Sequence, residues 1–404
     1  MVRTHRVKMM DNLYILRLDD DQVKYFESLW TIPEGITYNA YVLKTKRGVI
    51  VFDTWKREYS DLFISELKKI VDPSEVRYLV VHHMEPDHSG SLKALLEVNP
   101  EITVIGHPLV NSMIESFYGV TPKFRPVKDG EELTIGSYRL KFIYTPWLHW
   151  PETIMTYLYE HGILFTCDAF GSYSIPPGIY NDELNEDYMK KYRFYTRKYI
   201  ANIIGYYTGF VIRAIEKLTK LGIDIEVIAP SHGLIWRRSK SIVEHYRLWS
   251  SGMNVDGIKK VVVVYSSMYG FVREVIERVI EILNKKGVYY VVYKFLDDSR
   301  DEISDILGDL LGASGIIIGT ATYDASIFPV IEHVIKLMIK KIPKNKKVLI
   351  VTNYGWGGVA GRELKKMLGE SGFSVYEVIE FRAGHVSKYE DVIKRTVSEF
   401  IEQL

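Results

Sequence analysis

Apolar residues follow two different rhythms along this chain. Up to about residue 250, short apolar runs stop abruptly on polar side chains: Val49-Ile50-Val51-Phe52 on Asp53, Tyr78-Leu79-Val80-Val81 on His82, Ile163-Leu164-Phe165-Thr166-Cys167 on Asp168, and Val227-Ile228-Ala229-Pro230 on Ser231-His232. Each run has the length of a strand, so each predicts a strand handing over to a loop. Beyond residue 257 the rhythm changes. Lys259–Tyr265 is a continuous β-branched run that predicts a buried parallel strand. Val272, Val275, Ile276, Val279, Ile280 and Leu283 then share one face of a helix. The alternation continues as strand 288–295, helix 301–311, strand 315–319, helix 329–339 and strand 347–352. It predicts a doubly wound parallel sheet with its ligand at the carboxyl ends of the strands. Between the two rhythms, Ser250–Gly257 is polar, contains two glycines and lacks periodicity, so the expected domains are 1–252 and 257–404.

Composition narrows the class. A chain of 404 residues exceeds one ordinary core, in line with two domains. With 47% apolar residues, 25% charged residues and a net charge of +1, it reads as a soluble globular protein without general affinity for nucleic acid. No apolar run approaches the roughly 18 residues of a membrane span, and Asp11 and Asp19-Asp20-Asp21 follow a start that lacks a signal-peptide core. The expectation is a cytoplasmic protein. The single cysteine, Cys167, excludes internal disulfides and a cysteine-ligated iron–sulfur or rubredoxin-type centre within the chain. Cys167 itself reads as a small buried strand residue.

The candidate chemistry is concentrated where strands end. His83, Glu85, Asp87 and His88 occupy six residues directly after a strand, offering nitrogen and hard oxygen donors without thiolate. That donor set suits iron, manganese or zinc. Residues 83 and 85 face one way from an extended segment, while 87 and 88 follow a proline-directed turn and can reach a second ion. Helix capping would need one such residue and not four. His149, Asp168 and His232 add further ligands at strand ends. His82 reads as a strand-end histidine satisfied by hydrogen bonds, and Asp53 as a residue able to orient a ligand imidazole.

Three loops of the second half carry a different chemistry. Ser266-Ser267-Met268-Tyr269-Gly270 places hydroxyls and backbone N–H groups at a helix N-terminus, which favours a phosphate. It lacks both the Gly-Lys-Ser/Thr of NTPase loops and Gly-x-Gly-x-x-Gly. Thr320-Ala321-Thr322-Tyr323-Asp324 and Asn353-Tyr354-Gly355-Trp356-Gly357-Gly358 interleave aromatic rings with glycines, an arrangement suited to a flat aromatic ligand.

With these motifs in place, the chain resembles the metallo-β-lactamase superfamily and, within it, the flavodiiron proteins. Hydrolases of the superfamily usually carry His-x-His-x-Asp-His, whereas here Glu85 replaces the second imidazole. The resemblance implies an N-terminal metallo-β-lactamase-like αββα sandwich followed by a flavodoxin-like doubly wound sheet. It assigns His83, Glu85 and His149 to one iron, Asp87, His88 and His232 to the other, and Asp168 to a bridge between them. It makes the three loops the site of FMN, including Thr320, Thr322, Tyr323 and Asp324, and it places Tyr38 and Tyr199 as catalytic residues beside the metals. One departure is that Gly270 is followed by Phe271-Val272 where many flavodoxin loops continue Asn-Thr. The implied activity is reduction of dioxygen to water and/or nitric oxide to nitrous oxide. Electrons would come from a rubredoxin-like carrier through FMN, in a head-to-tail homodimer or dimer of dimers. Two alternatives stand beside this reading. A zinc hydrolase is disfavoured by Glu85 and has no use for a flavin domain; a flavin electron carrier with a structural metal site would more often close that site with thiolates.

Overall fold

A computed structural model describes residues 2–404. The chain divides into two compact units, one containing the chain through Tyr199 together with Gly209–Tyr246, the other Ile200–Thr208 together with Arg247–Leu404. None of the described helices is long and apolar enough to cross a membrane.

The first unit holds two sheets. One runs in the order Arg3–Met10, Leu13–Asp20, Ile36–Thr45, Gly48–Phe52, Val76–Val81, Thr103–Gly106, Lys123–Pro126. Its first strands are antiparallel, and Gly48–Phe52 onward are parallel. The other runs Glu132–Ile135, Tyr138–Tyr144, Ile154–Leu158, Ile163–Cys167, Val227–Pro230, Trp236–Arg237, with a parallel pair only at Ile163–Cys167 and Val227–Pro230. In Tyr138–Tyr144 the period of two is plain: Tyr138, Leu140 and Phe142 are buried, and Arg139 is exposed. These inward side chains join Leu13, Ile15, Leu43, Ile50 and Phe52 of the first sheet in one core. At its centre Phe52 and Phe165 stack with centroids 4.3 Å apart, an aromatic contact contributing about 0.5–1.5 kcal/mol beyond burial. Flanking helices are amphipathic. Thr208–Leu221 buries Val211, Ala214, Ile215 and Leu218 at helical spacing. The αββα architecture is the expected one.

The second unit has a parallel sheet in the order Tyr289–Phe295, Lys260–Ser266, Gly315–Tyr323, Lys347–Tyr354, Ser374–Arg382, with Ser326–Ile327 added antiparallel to Gly315–Tyr323. This is the flavodoxin-like order, with the switch point between the first and third strands in sequence. Two features differ from the pattern read along the chain. The third strand does not stop at Gly319: Thr320 and Ala321 pair with Thr352 and Asn353, and Thr322 and Tyr323 pair with Ser326–Ile327. Thr320, Thr322 and Tyr323 are therefore strand residues, and the turn begins at Asp324. The sheet also continues past residue 352 through helix Ala360–Glu370, strand Ser374–Arg382 and helix Glu390–Glu402.

Candidate functional site

Six of the seven candidate ligands of the first unit follow the carboxyl ends of its parallel strands, and His149 joins them from a turn between antiparallel strands. After Val76–Val81 the chain runs extended through His83 and Glu85, then Pro86 opens the short helix Pro86–Ser89, which carries Asp87 and His88. His149 lies in the turn between Tyr138–Tyr144 and Ile154–Leu158, Asp168 follows Ile163–Cys167, and His232 follows Val227–Pro230. All but Glu85 are buried, and the Glu85 side chain is only 13% exposed.

Asp168 is the hub. Its Oδ2 lies 3.5 Å from His83 Nε2 and 3.4 Å from His149 Nε2, and Glu85 Oε2 is 3.2 and 2.9 Å from the same two nitrogens. Its Oδ1 faces the other way, 2.9 Å from His88 Nε2 and 3.3 Å from His232 Nε2. Asp87 completes that side, with Oδ1 3.4 Å from His88 Nε2 and Oδ2 3.3 Å from His232 Nε2. One carboxylate thus serves two clusters, His83/Glu85/His149 and Asp87/His88/His232, each tight enough to hold one ion. Both Asp87 oxygens, Asp168 Oδ2 and His232 Nε2 are buried with no hydrogen-bond partner among the described residues. Native interiors rarely leave such groups unsatisfied. Buried ligand atoms that converge on one centre and leave these groups without a hydrogen bond fit cations between them.

The electrostatics follow from this crowding. Burial opposes charge on every group, yet the carboxylates outweigh it at the imidazoles. His149 is pushed up to about 9 by Asp168 and Glu85, and His232 to about 10 by Asp168 and Asp87. His83 is raised by hydrogen bonds to Glu152 and Glu85, while Asp168 is held well below the carboxylate range by its histidines.

Outer contacts aim the ligands. His83 Nδ1 bonds Glu152 Oε1 at 2.8 Å, and His232 Nδ1 bonds Thr37 O at 2.7 Å, so each turns Nε2 to the centre. Tyr199 donates its hydroxyl to Asp168 Oδ1 at 2.9 Å. Tyr38, fully buried, sets its ring edge-on to His232 with centroids 5.5 Å apart; its hydroxyl has no partner among the described residues. Asp53 does not bond a candidate ligand. Its carboxylate takes the His82 N–H at 2.9 Å and His82 Nδ1 at 2.7 Å, and His82 Nε2 reaches Thr156 Oγ1 at 2.9 Å. This acid–imidazole–hydroxyl line has the order of a hydrolase triad, but all three side chains are enclosed, so it braces the strand end. Cys167 is buried, and its thiol is pushed up by burial and by Asp168.

The second unit has a cavity of about 560 Å³ at the carboxyl ends of its strands. That size suits a cofactor-sized ligand. Of the expected residues, Ser267, Met268, Tyr269, Thr322, Tyr323, Asp324, Asn353, Tyr354, Gly355, Trp356 and Gly357 line it. Ser266, Gly270, Thr320 and Gly358 lie outside the lining. Gly270, at φ 87°, precedes helix Phe271–Lys285. Ser266 Oγ is buried beside that loop with no partner among the described residues, an orphan donor that fits an anion. Thr322 Oγ1 is occupied, accepting the N–H groups of Val359 and Ala360 at 3.1 and 3.2 Å. Trp356 is 99% exposed and Tyr269 82%. Glu152, Thr37 and the wall residues Phe271, Val359 and Ala383 were not singled out from the sequence; only the position of Glu152, three residues after His149, offered a local signal.

Comparison with known proteins agrees with this architecture. A family model described as ODP family beta lactamase matches residues 36–233. A solved structure of a point mutant of the flavo di-iron protein from Thermotoga maritima is 38% identical, covers 100% of both chains and superposes with a TM-score of 0.93. The nitric oxide reductase of Moorella thermoacetica is 29% identical over 365 residues, 90% of this chain and 89% of that protein. The anaerobic nitric oxide reductase flavorubredoxin of Vibrio vulnificus is 26% identical over 371 residues, 91% of this chain and 74% of that protein. Two sheets closing on a shared carboxylate, a flavodoxin-like sheet behind them in sequence, and full-length likeness at this identity place the chain in the flavodiiron protein family.

Proposed function

We propose that the protein is an oxidoreductase that reduces dioxygen to water and/or nitric oxide to nitrous oxide at a diiron centre within residues 1–252. FMN in residues 257–404 relays electrons from a rubredoxin-like carrier. The observation that carries the reading is the division of Asp168, with Oδ2 turned to His83 and His149 and Oδ1 to His88 and His232.

His83, Glu85 and His149 would hold one iron, Asp87, His88 and His232 the other, and Asp168 both. A shared anion lowers the repulsion between two cations, and the carboxylates Glu85, Asp87 and Asp168 suit a redox-active hard ion better than zinc. When bound, the irons and FMN supply the electrons, four for each dioxygen or two for each pair of nitric oxide molecules. The chain does the rest. Tyr199 keeps its proton, because burial and the adjacent Asp168 raise its phenol, and so it donates steadily to Asp168 Oδ1 and fixes that oxygen's direction. Tyr38, raised by burial and Asp87, carries a buried hydroxyl free to meet a small polar ligand beside His232. The enclosing aromatic rings of Phe26, Tyr173 and Tyr199 limit water around His232.

In the second unit Ser266, Ser267 and the N–H groups at the start of helix Phe271–Lys285 would hold the FMN phosphate, with Tyr323 and Trp356 against the ring system. A bare Trp356 fits assembly with a second copy, head-to-tail as a homodimer or dimer of dimers, which would bring one subunit's flavin to the other's irons. The flavorubredoxin likeness supports a rubredoxin-like donor.

The test is anaerobic stopped-flow mixing of iron-loaded, FMN-reduced protein with O2 and, separately, NO. Flavin reoxidation over successive turnovers with water or nitrous oxide as product is the expected result. Reoxidation no faster than that of free FMN, or a purified protein with zinc and hydrolytic turnover, would refute the reading.

A further inference from the structure

We propose that Glu152 is the positioning residue for His83 and, through it, for the ion shared by His83, Glu85 and His149, an inference that rests on the diiron reading above. Glu152 is completely buried. It lies in the turn before Ile154–Leu158, a strand of the second sheet, whereas His83 follows Val76–Val81 of the first. One oxygen, Oε1, accepts from both His83 Nδ1 at 2.8 Å and the Met84 N–H at 2.9 Å. The pair of bonds fixes the ring and its backbone together. With Nδ1 bound to a carboxylate, Nε2 is left to face Glu85 Oε2 and Asp168 Oδ2, so the contact selects the tautomer a metal ligand needs. Trp150 also stands edge-on to the His83 ring, with centroids 4.8 Å apart at 86°.

Two comparisons within the molecule separate positioning from packing. His232 obtains the same orientation from a neutral carbonyl, Thr37 O, so an acid is not required merely to turn a ring. Glu152 Oε2 is buried with no partner among the described residues, so the charged form carries a burial cost that a glutamine, able to accept both bonds through one amide oxygen, would avoid. What the carboxylate adds is electron density at His83, making it a stronger ligand than His232. Because His149 belongs to the same turn, Glu152 also ties the two imidazoles of one ion into a common frame. The structure thus assigns the two metal positions unequal ligand fields.

The experiment is anaerobic titration of the full-length metal-free protein with ⁵⁷Fe²⁺ against a competing chelator. Mössbauer spectra would resolve the two iron environments, and redox titration would follow both. For Glu152→Ala, affinity at one position should fall about 10- to 100-fold while the other stays within about twofold. Glu152→Gln keeps both hydrogen bonds and should fold and bind two irons, with the midpoint potential of one iron moved to more positive values. Wild-type affinity at both positions in Glu152→Ala, equal loss at both, or an unchanged potential in Glu152→Gln would overturn the proposal. Wild-type protein that takes up fewer than two irons would overturn the diiron reading itself, and this inference with it.

Discussion

Replacing Gly90 with alanine sets two effects of opposite sign against each other. Gly90 closes the helix Pro86–Ser89 with φ −60° and ψ −33°, ordinary helical values. By backbone preference alone alanine would stabilise it by about 0.5–1 kcal/mol. Packing predicts the reverse. A β-carbon there would lie 2.3 Å from Arg57 N, 2.5 Å from Pro86 O and 2.9 Å from Lys56 C, all main-chain atoms, where ordinary contact begins at 3.4 Å. The helix and segment 54–57 would have to part by roughly 1 Å, and overpacking of this kind costs about 1–3 kcal/mol. Parting them also stretches the bond from Thr54 N–H to His88 O, now 2.6 Å, and that from Ser91 N–H to Trp55 O, now 2.8 Å, at about 1 kcal/mol each. The net is about 2–4 kcal/mol of destabilisation, a fall in melting temperature of about 5–15 °C for a unit of this size.

The same displacement reaches the site, because Asp87 and His88 ride on that helix. Metal ligands tolerate errors of about 0.2 Å. A shift several times larger should empty the Asp87/His88/His232 position and spare His83/Glu85/His149. The assay pairs thermal unfolding with iron counting on Gly90→Ala. A lowered melting temperature with one iron retained is expected. An unchanged or raised melting temperature with two irons would show that the contact relaxes freely and that the reasoning from main-chain clash is wrong.

Three further outcomes are expected. Tyr199→Phe removes the donor to Asp168 Oδ1; with hydrogen bonds to charged groups contributing about 1.5–3 kcal/mol, turnover should fall by roughly tenfold or more at unchanged iron content, and undiminished turnover would remove Tyr199 from the mechanism. Ser266→Ala should weaken FMN binding by about tenfold for loss of one charge-assisted bond, read from flavin fluorescence on dialysis; wild-type retention would show that this buried hydroxyl does not meet the phosphate. In metal-free protein His149 and His232 are raised to about 9 and about 10 from the ordinary 6.5. Their contribution to stability is full below pH 6.5 and is lost as pH rises through 9 to 10, so the metal-free melting temperature should drop across that window while the iron-loaded protein, its imidazoles already deprotonated, stays level. Parallel curves would contradict the assignment.

The site could be read from the sequence to the extent that chemistry follows strand ends. His83, Glu85, Asp87, His88, His149, Asp168 and His232 lie in the segments that follow apolar runs, and the fold brings those segments to one place. The partners that aim them were hidden. Thr37 acts through its carbonyl, which any residue possesses, and Glu152 is one acid among many until the turn at 145–153 places it under His83. Asp53 was visible as a strand-end acid, but its partner was not: it binds His82, the neighbour of a candidate ligand. In the second unit the end of strand Gly315–Tyr323 was misplaced because Thr320 and Thr322 look like loop residues. Pairing with Thr352 and Ile327 holds them in the sheet instead.

What the pattern of apolar residues could not convey is backbone conformation at the strand ends. Asp53, Trp147, Cys167 and Phe170 all have left-handed φ, at 55°, 64°, 51° and 67°. Such residues cost of order 1–3 kcal/mol each unless the surroundings hold them. At Cys167 the function of the turn is visible. It ends strand Ile163–Cys167 and slips the register against Val227–Pro230, and its carbonyl accepts Ser231 N–H at 2.8 Å. The two neighbouring strands then deliver Asp168 and His232 to one point, 3.3 Å apart. At Asp53 the carboxylate offsets the strain by taking two bonds from His82. At Asp53 and Cys167 the strain is thus balanced by protein contacts, which predicts a ligand cage that forms without metal. Proton-bearing imidazoles can meanwhile balance its carboxylates. Loading would then be an exchange of protons for cations in a formed site, unlike metal-driven folding. A chelator should strip the ions and leave the secondary structure intact.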